Sequence, residues 1–184
     1  LGYLKITGYS DYLHPYDEHH VIGIGKETQG GDESFAWYQG VKVSLFDVTD
    51  VHNPVEKAKI EIGDRGTDSY ALHDHKAFLF DKEKELLVIP VSLSEIDESK
   101  YAGEIPDQAL GEHVWQGAFV LNINLDSISE RGRITHAETA QNNKGWWNND
   151  ITRSLYMDDV LYTISSKKIQ ANDLNTLEEI QEVA

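Results

Sequence analysis

A chain of 184 residues, 40 % hydrophobic and 10 % aromatic, is long enough to bury one good core and has ordinary globular composition. With 32 acidic against 16 basic residues the net charge is −16, a field that repels phosphate backbones and anionic lipid surfaces and argues against nucleic acid as a partner. No apolar run approaches the ~18 residues of a membrane span, and the absence of cysteine removes disulfides, thiolate nucleophiles and cysteine-based zinc sites.

Taken in chain order, Tyr3-Leu4-Lys5-Ile6-Thr7-Gly8-Tyr9 reads as an outer strand. The chain starts at leucine, which predicts a mature product or an excised fragment. Pro15-Tyr16-Asp17 then runs into HHVIGIG, an apolar pair followed by an Asp that opens a tight turn and a β-rich run leading back out. Residues 27–40 carry three glycines, a Trp and a Tyr, which predicts a loop with an aromatic tip. Val43-Ser44-Leu45-Phe46-Asp47-Val48 is a second β-run ending in a turn-forming residue, and Lys57 to Ile62 is a third.

The same phrases recur. Leu79-Phe80-Asp81 precedes KEKELLVIPV, Val120 to Leu125 repeats the run that ends in Asp or Asn, and Gly132 to Thr135 repeats the last strand. Tyr156-Met157-Asp158 precedes DVLYTIS and is followed by Ile169 to Leu174 and Glu179 to Val183. Between the copies lie insertions at 92–116 and 138–150. Within the first, residues 94–101 could form a turn or two of helix that Gly103 and Pro106 then stop.

Three copies of four antiparallel runs predict an all-β chain, a β-propeller segment of about three four-stranded blades at 10–63, 70–137 and 150–184. In that reading residues 1–9 are the outer strand of a preceding blade. Propellers usually close with ~4–8 blades, so the remaining blades of a parent propeller are the first expected partner. The alternative is a β-sandwich of about a dozen strands.

The phrases YLKITGYSDYLHPYDEHHVIGIGKE, TDSYALHDHKAFLFDKEKELLVIPV and RSLYMDDVLYTISSKKIQANDLNTLEEI resemble secreted bacterial and archaeal proteins with a C-terminal β-propeller domain distantly related to WD-40 repeats. The resemblance covers nearly the whole chain. It implies export to the cell surface or beyond, a propeller formed by a longer chain and no assignable activity, with no catalytic residues to carry over.

The densest polar cluster is Asp68 to His75. In a strand, His73 and His75 would face one side around Asp74, a spacing that could ligate zinc, nickel or copper with help from His14 or from the Asp17-Glu18-His19-His20 run. The competing expectation is that an Asp-His pair at a strand entry holds neighbouring turns. Asp47-Val48-Thr49-Asp50 and Asp158-Asp159 lack the spacing of a calcium loop and read as turn formers. Glu112-His113, Glu138 and Asp150 are polar residues without an evident structural duty, yet no nucleophile elbow, zinc-protease helix or phosphate loop accompanies them.

Trp37 with Tyr38, Trp115, Trp146 and Trp147 lie in or beside the insertions, where aromatic faces suit a protein or carbohydrate ligand. The expectation is therefore a noncatalytic extracellular binding platform of unknown ligand and cofactor, using His14, His73, Asp74, His75 and the tryptophans. Its alternatives are a cell-surface polysaccharide hydrolase or lyase and a histidine-based metal module.

Overall fold

A computed structural model describes residues 2–32, 35–137 and 150–184. Twelve strands among these residues form three four-stranded antiparallel sheets, each in chain order. The first comprises β1 (Tyr9–Pro15), β2 (His20–Asp32), β3 (Phe35–Asp47) and β4 (Val55–Ile62). The second comprises β5 (Leu79–Asp81), β6 (Leu86–Glu95), β7 (Glu112–Ile123) and β8 (Ile128–Ile134). The third comprises β9 (Arg153–Met157), β10 (Val160–Ile164), β11 (Ile169–Asp173) and β12 (Glu179–Val183). Three separate meanders, rather than two facing sheets, are the blades of a propeller segment and not a sandwich.

The repeated turn residues do the same work in each copy. Asp47 Oδ1 accepts from the Thr49 N–H at 2.9 Å, Asn124 Oδ1 from those of Asp126 and Ser127 at 3.0 Å, and Asp173 Oδ1 from those of Asn175 and Thr176 at 2.9 and 2.8 Å. Each carboxylate or amide thus satisfies the turn between the third and fourth strands of its sheet. Between first and second strands, Asp17 accepts from the His19 N–H and Asp81 from the Lys84 N–H. Asp158 instead takes φ 52° in a two-residue hairpin between paired Met157 and Val160, a left-handed conformation that Asp tolerates.

Two segments depart from the sequence reading. Residues 2–8 form no strand; they run as irregular chain, with the Gly2 N–H on the Val51 carbonyl at 2.9 Å and the Lys42 ammonium on the Thr7 carbonyl. A strand requires a ladder partner, and these contacts supply side-chain and isolated backbone bonds instead. Residues 27–40 are largely strand, because Thr28, Trp37 and Tyr38 favour the pleated ribbon and pair directly, Thr28 with Tyr38 and Gln29 with Trp37.

The chain divides into two compact units, one of Leu1–Asp68, Leu93–Val114 and Asn124–Ile128, the other of Ser69–Ser92, Trp115–Ile123 and Ser129–Ala184. In the second unit Leu86, Val88, Ala118 and Val120 pack with Ile134, Ile151, Leu161 and Leu174 in one buried cluster. The LLVIPV run of β6 is buried throughout, as a central strand requires. Pro90 lies past Val88, the last residue of β6 in register with β5, so its missing N–H removes no bond to that strand; its carbonyl accepts the Ser69 hydroxyl at 2.6 Å.

In the first unit the buried Glu27 and Lys42 form an ion cluster with the exposed Lys59. Glu27 Oε2 lies 3.4 Å from Lys42 Nζ and 3.2 Å from Lys59 Nζ. Burial by itself would raise the Glu27 carboxyl, but hydrogen bonds from Thr7 and the Thr28 N–H, with the two ammonium groups, hold it at about 2.

Candidate functional site

The β2–β3 hairpin outruns its neighbours. The β1 ladder stops at Tyr9 opposite Lys26, and the β4 ladder stops at Ile62 opposite Val41, so the rest of the hairpin is a two-stranded ribbon. Such a ribbon needs further packing to hold its shape. Within the first unit that packing comes from the insertion after β6. Gln39 Nε2 donates to the Asp107 carbonyl at 3.0 Å, and Gly30 takes φ 64° where a Cβ would meet the Asp107 carboxylate at 1.9 Å. The turn after β4 joins them: Arg65 Nη1 donates to the Gln108 carbonyl at 3.1 Å, and the Gly111 N–H donates to the Arg65 carbonyl at 2.7 Å.

Residues of these three segments line an open cleft of about 360 Å³: Lys26, Tyr38, Gln39, Arg65, Gly66, Thr67, Asp68 and Leu110. Thr67 is fully buried, its hydroxyl donating to the Ser94 carbonyl at 3.0 Å and accepting from the Ser94 N–H at 2.9 Å, which anchors the turn. The Arg65 guanidinium lies over the Trp37 ring, 4.9 Å from its centroid. Lys26 donates to the Thr67 carbonyl and sits 3.4 Å from Asp68 Oδ1. Tyr38 is 58 % exposed, with its ring edge-on to Tyr9 at 5.5 Å, and Leu110 is 62 % exposed.

The other candidate residues separate. His14, on β1 of the first unit, is half-buried, its Nδ1 2.9 Å from the Tyr12 hydroxyl, and burial lowers its pKa. In the second unit His73 follows the 3₁₀ turn Tyr70–Leu72 as its C-cap and His75 opens the next, His75–Ala77, so neither lies on a strand. The alternation that would aim both imidazoles to one side is therefore absent, because Ser69 and Asp74 cap turns here. Asp74 accepts from the Lys76 N–H at 2.9 Å and from Arg153 Nη2 at 2.5 Å, and these two partners hold its carboxyl below the usual range. Among the described residues no group of three or more His, Asp or Glu gathers to hold a metal ion, so the metal alternative finds no ligand set there.

Trp115 is a packing residue of the second unit. Its ring meets Phe119 edge-on at 5.3 Å, Arg133 caps the pair, and the ring lies over Gly117, where a Cβ would approach it to 2.5 Å. Glu112 pairs with Lys100, while burial lowers His113 and raises Asp150. Trp146, Trp147 and Glu138 lie outside the described residues.

Sequence reasoning named Trp37 and the Asp68 cluster but missed Lys26, Gln39, Arg65, Thr67 and Leu110. Their one available signal was charge: Lys26 and Arg65 are two of only 16 basic residues.

Three four-stranded antiparallel sheets in succession, with a side-chain cleft built on an extended hairpin, define this chain as a β-propeller segment. It belongs to the beta propeller domain family, whose model matches residues 1–177. The chain is similar over its whole length to an uncharacterized protein of Archaeoglobus fulgidus, 28 % identical over 183 residues that make up 22 % of that protein. It is also similar to an uncharacterized protein of Methanocaldococcus jannaschii, 39 % identical over 90 residues, 49 % of this chain and 13 % of the relative. The chain thus spans under a quarter of the length of these relatives. No helix among the described residues is long and apolar enough to cross a membrane.

Proposed function

We propose that this propeller segment is a noncatalytic binding platform of an exported protein, completed by further blades, and that its ligand meets the cleft on the β2–β3 hairpin. The observation that carries this reading is the make-up of the cleft. Asp68 is the one carboxylate among the described lining residues, and its neighbour is the Lys26 ammonium. Glycoside hydrolysis ordinarily uses two carboxyl groups ~5–10 Å apart, one to protonate and one to attack or to activate water. An ion pair, a stacked guanidinium and exposed aromatic and aliphatic surface are instead the elements of recognition.

The test is an assay of the full chain for release of reducing ends from cell-wall polysaccharides and exopolysaccharides, run beside a cross-linking capture of ligands. The expected result is no turnover, with capture reduced by Tyr38→Ala. Turnover that the same substitution abolishes would sink the platform reading in favour of a hydrolase or lyase.

A further inference from the structure

We infer that the cleft between the β2–β3 hairpin, the Arg65–Asp68 turn and the 96–111 insertion binds a neutral carbohydrate. The inference rests on the platform reading and names the ligand class of that site. A sugar offers hydroxyls that both donate and accept, together with apolar C–H faces, so its recognition needs fixed donors, fixed acceptors and an aromatic or aliphatic surface.

Each requirement is met by a named side chain. Arg65 spends one of its five N–H donors on the Gln108 carbonyl while its guanidinium lies over the Trp37 ring, and its remaining donors are available to a ligand at the cleft. Lys26 has three donors and is held by the Thr67 carbonyl and Asp68. Gln39 directs its Nε2 to the carbonyls of Asp107 and Trp37, at 3.0 and 3.4 Å, so what this amide brings to a ligand is its Oε1 acceptor. Asp68, 56 % exposed, supplies further acceptor sites. Tyr38 and Leu110 contribute exposed aromatic and aliphatic surface.

Charge decides against the competing ligands. Lys26 and Arg65 face the single Asp68 carboxylate among the described lining residues, so the cleft itself is net positive by one charge, while the −16 of the chain as a whole repels an approaching anion. A cationic ligand meets the Arg65 guanidinium and the Lys26 ammonium beside the single carboxylate. A neutral polyhydroxyl ligand satisfies donors and acceptors without a net charge of its own.

The experiment is titration calorimetry of the full chain with neutral hexoses, N-acetylhexosamines and their oligomers, with a cationic peptide library as the competing probe. The expected result is saturable binding of at least one neutral sugar, weakened by about tenfold or more in both Tyr38→Ala and Asp68→Asn. Thermal unfolding of each variant, matching the parent, keeps a folding defect apart from a lost contact. Sugar binding that both substitutions leave unchanged overturns the inference, because the ligand then sits elsewhere. Peptide binding that Tyr38→Ala abolishes, with no sugar bound, overturns the carbohydrate assignment and leaves the platform reading standing. Absence of both sugar and peptide binding overturns the assignment and counts against the platform as well.

Discussion

Arg153 Nη2 donates to Asp74 Oδ2 at 2.5 Å, tying the first residue of β9 to the 3₁₀ turn that precedes β5. The most conspicuous acid of the Asp68–His75 run is therefore a bracket within the second unit, already engaged by the Lys76 N–H and a guanidinium. Asp74→Ala removes both the cap and the ion pair and lowers the thermal unfolding midpoint; Asp74→Asn keeps the cap and lowers it less. An alanine variant as stable as the parent would show that the bracket carries no stability.

Thr67 is the corresponding anchor of the cleft. Thr67→Val keeps the volume but strips the hydroxyl that serves the Ser94 carbonyl and N–H. Leaving buried backbone groups unpaired costs about 1–3 kcal/mol, so urea unfolding should shift by that amount, and ligand capture at the cleft should weaken with it.

Leu161 is fully buried in the cluster of Leu86, Val120, Ile151 and Leu174. Leu161→Ala leaves a cavity in the second unit and is expected to cost about 2–5 kcal/mol in chemical denaturation. A loss well under 1 kcal/mol would mean that β10 does not pack as described.

Two buried groups should make the chain acid-sensitive in separate pH windows. His136, 1 % exposed with Nε2 2.8 Å from the Thr163 hydroxyl, is lowered from 6.5 to about 4 by burial and by the Lys168 ammonium, against an opposing effect of Glu182. The unfolded chain binds the proton more tightly, so stability is complete above pH 6.5 and is lost as pH falls toward 4, by at most about 3 kcal/mol. Glu27, lowered from 4.5 to about 2, also binds its proton more tightly when unfolded; its contribution is present above pH 4.5 and is lost toward pH 2. Unfolding midpoints measured from pH 8 to pH 2 should fall in both windows, with His136→Gln flattening the first and Glu27→Gln the second. Midpoints independent of pH between 6.5 and 4 would contradict the burial of His136.

The fold was legible because its signals are local. An Asp or Asn at the end of a β-run bonds to N–H groups two and three residues on, so Asp47, Asn124 and Asp173 announce the same turn wherever they occur. The buried run Leu86–Val91 likewise declares a central strand. The reading failed where locality failed. Three glycines suggested a loop over 27–40, but Trp37 and Tyr38 pair across the ribbon with Gln29 and Thr28, and the insertion packs on it through Gln39 and Asp107.

By itself the sequence determined the all-β class, the threefold repeat, the turn positions and the absence of cysteine chemistry, because each follows from residue type and short-range spacing. Only the tertiary structure decided the site. Lys26, Gln39, Arg65 and Leu110 are up to 84 residues apart in sequence and meet because the insertion after β6 folds back on the first hairpin. His73 and His75, adjacent but for one residue, stand at the end of one 3₁₀ turn and the start of the next, turns capped by Ser69 and Asp74, and gather no metal ligand set among the described residues. Turn chemistry acts over two or three residues, whereas a cleft is made by packing between segments that the chain order does not bring together.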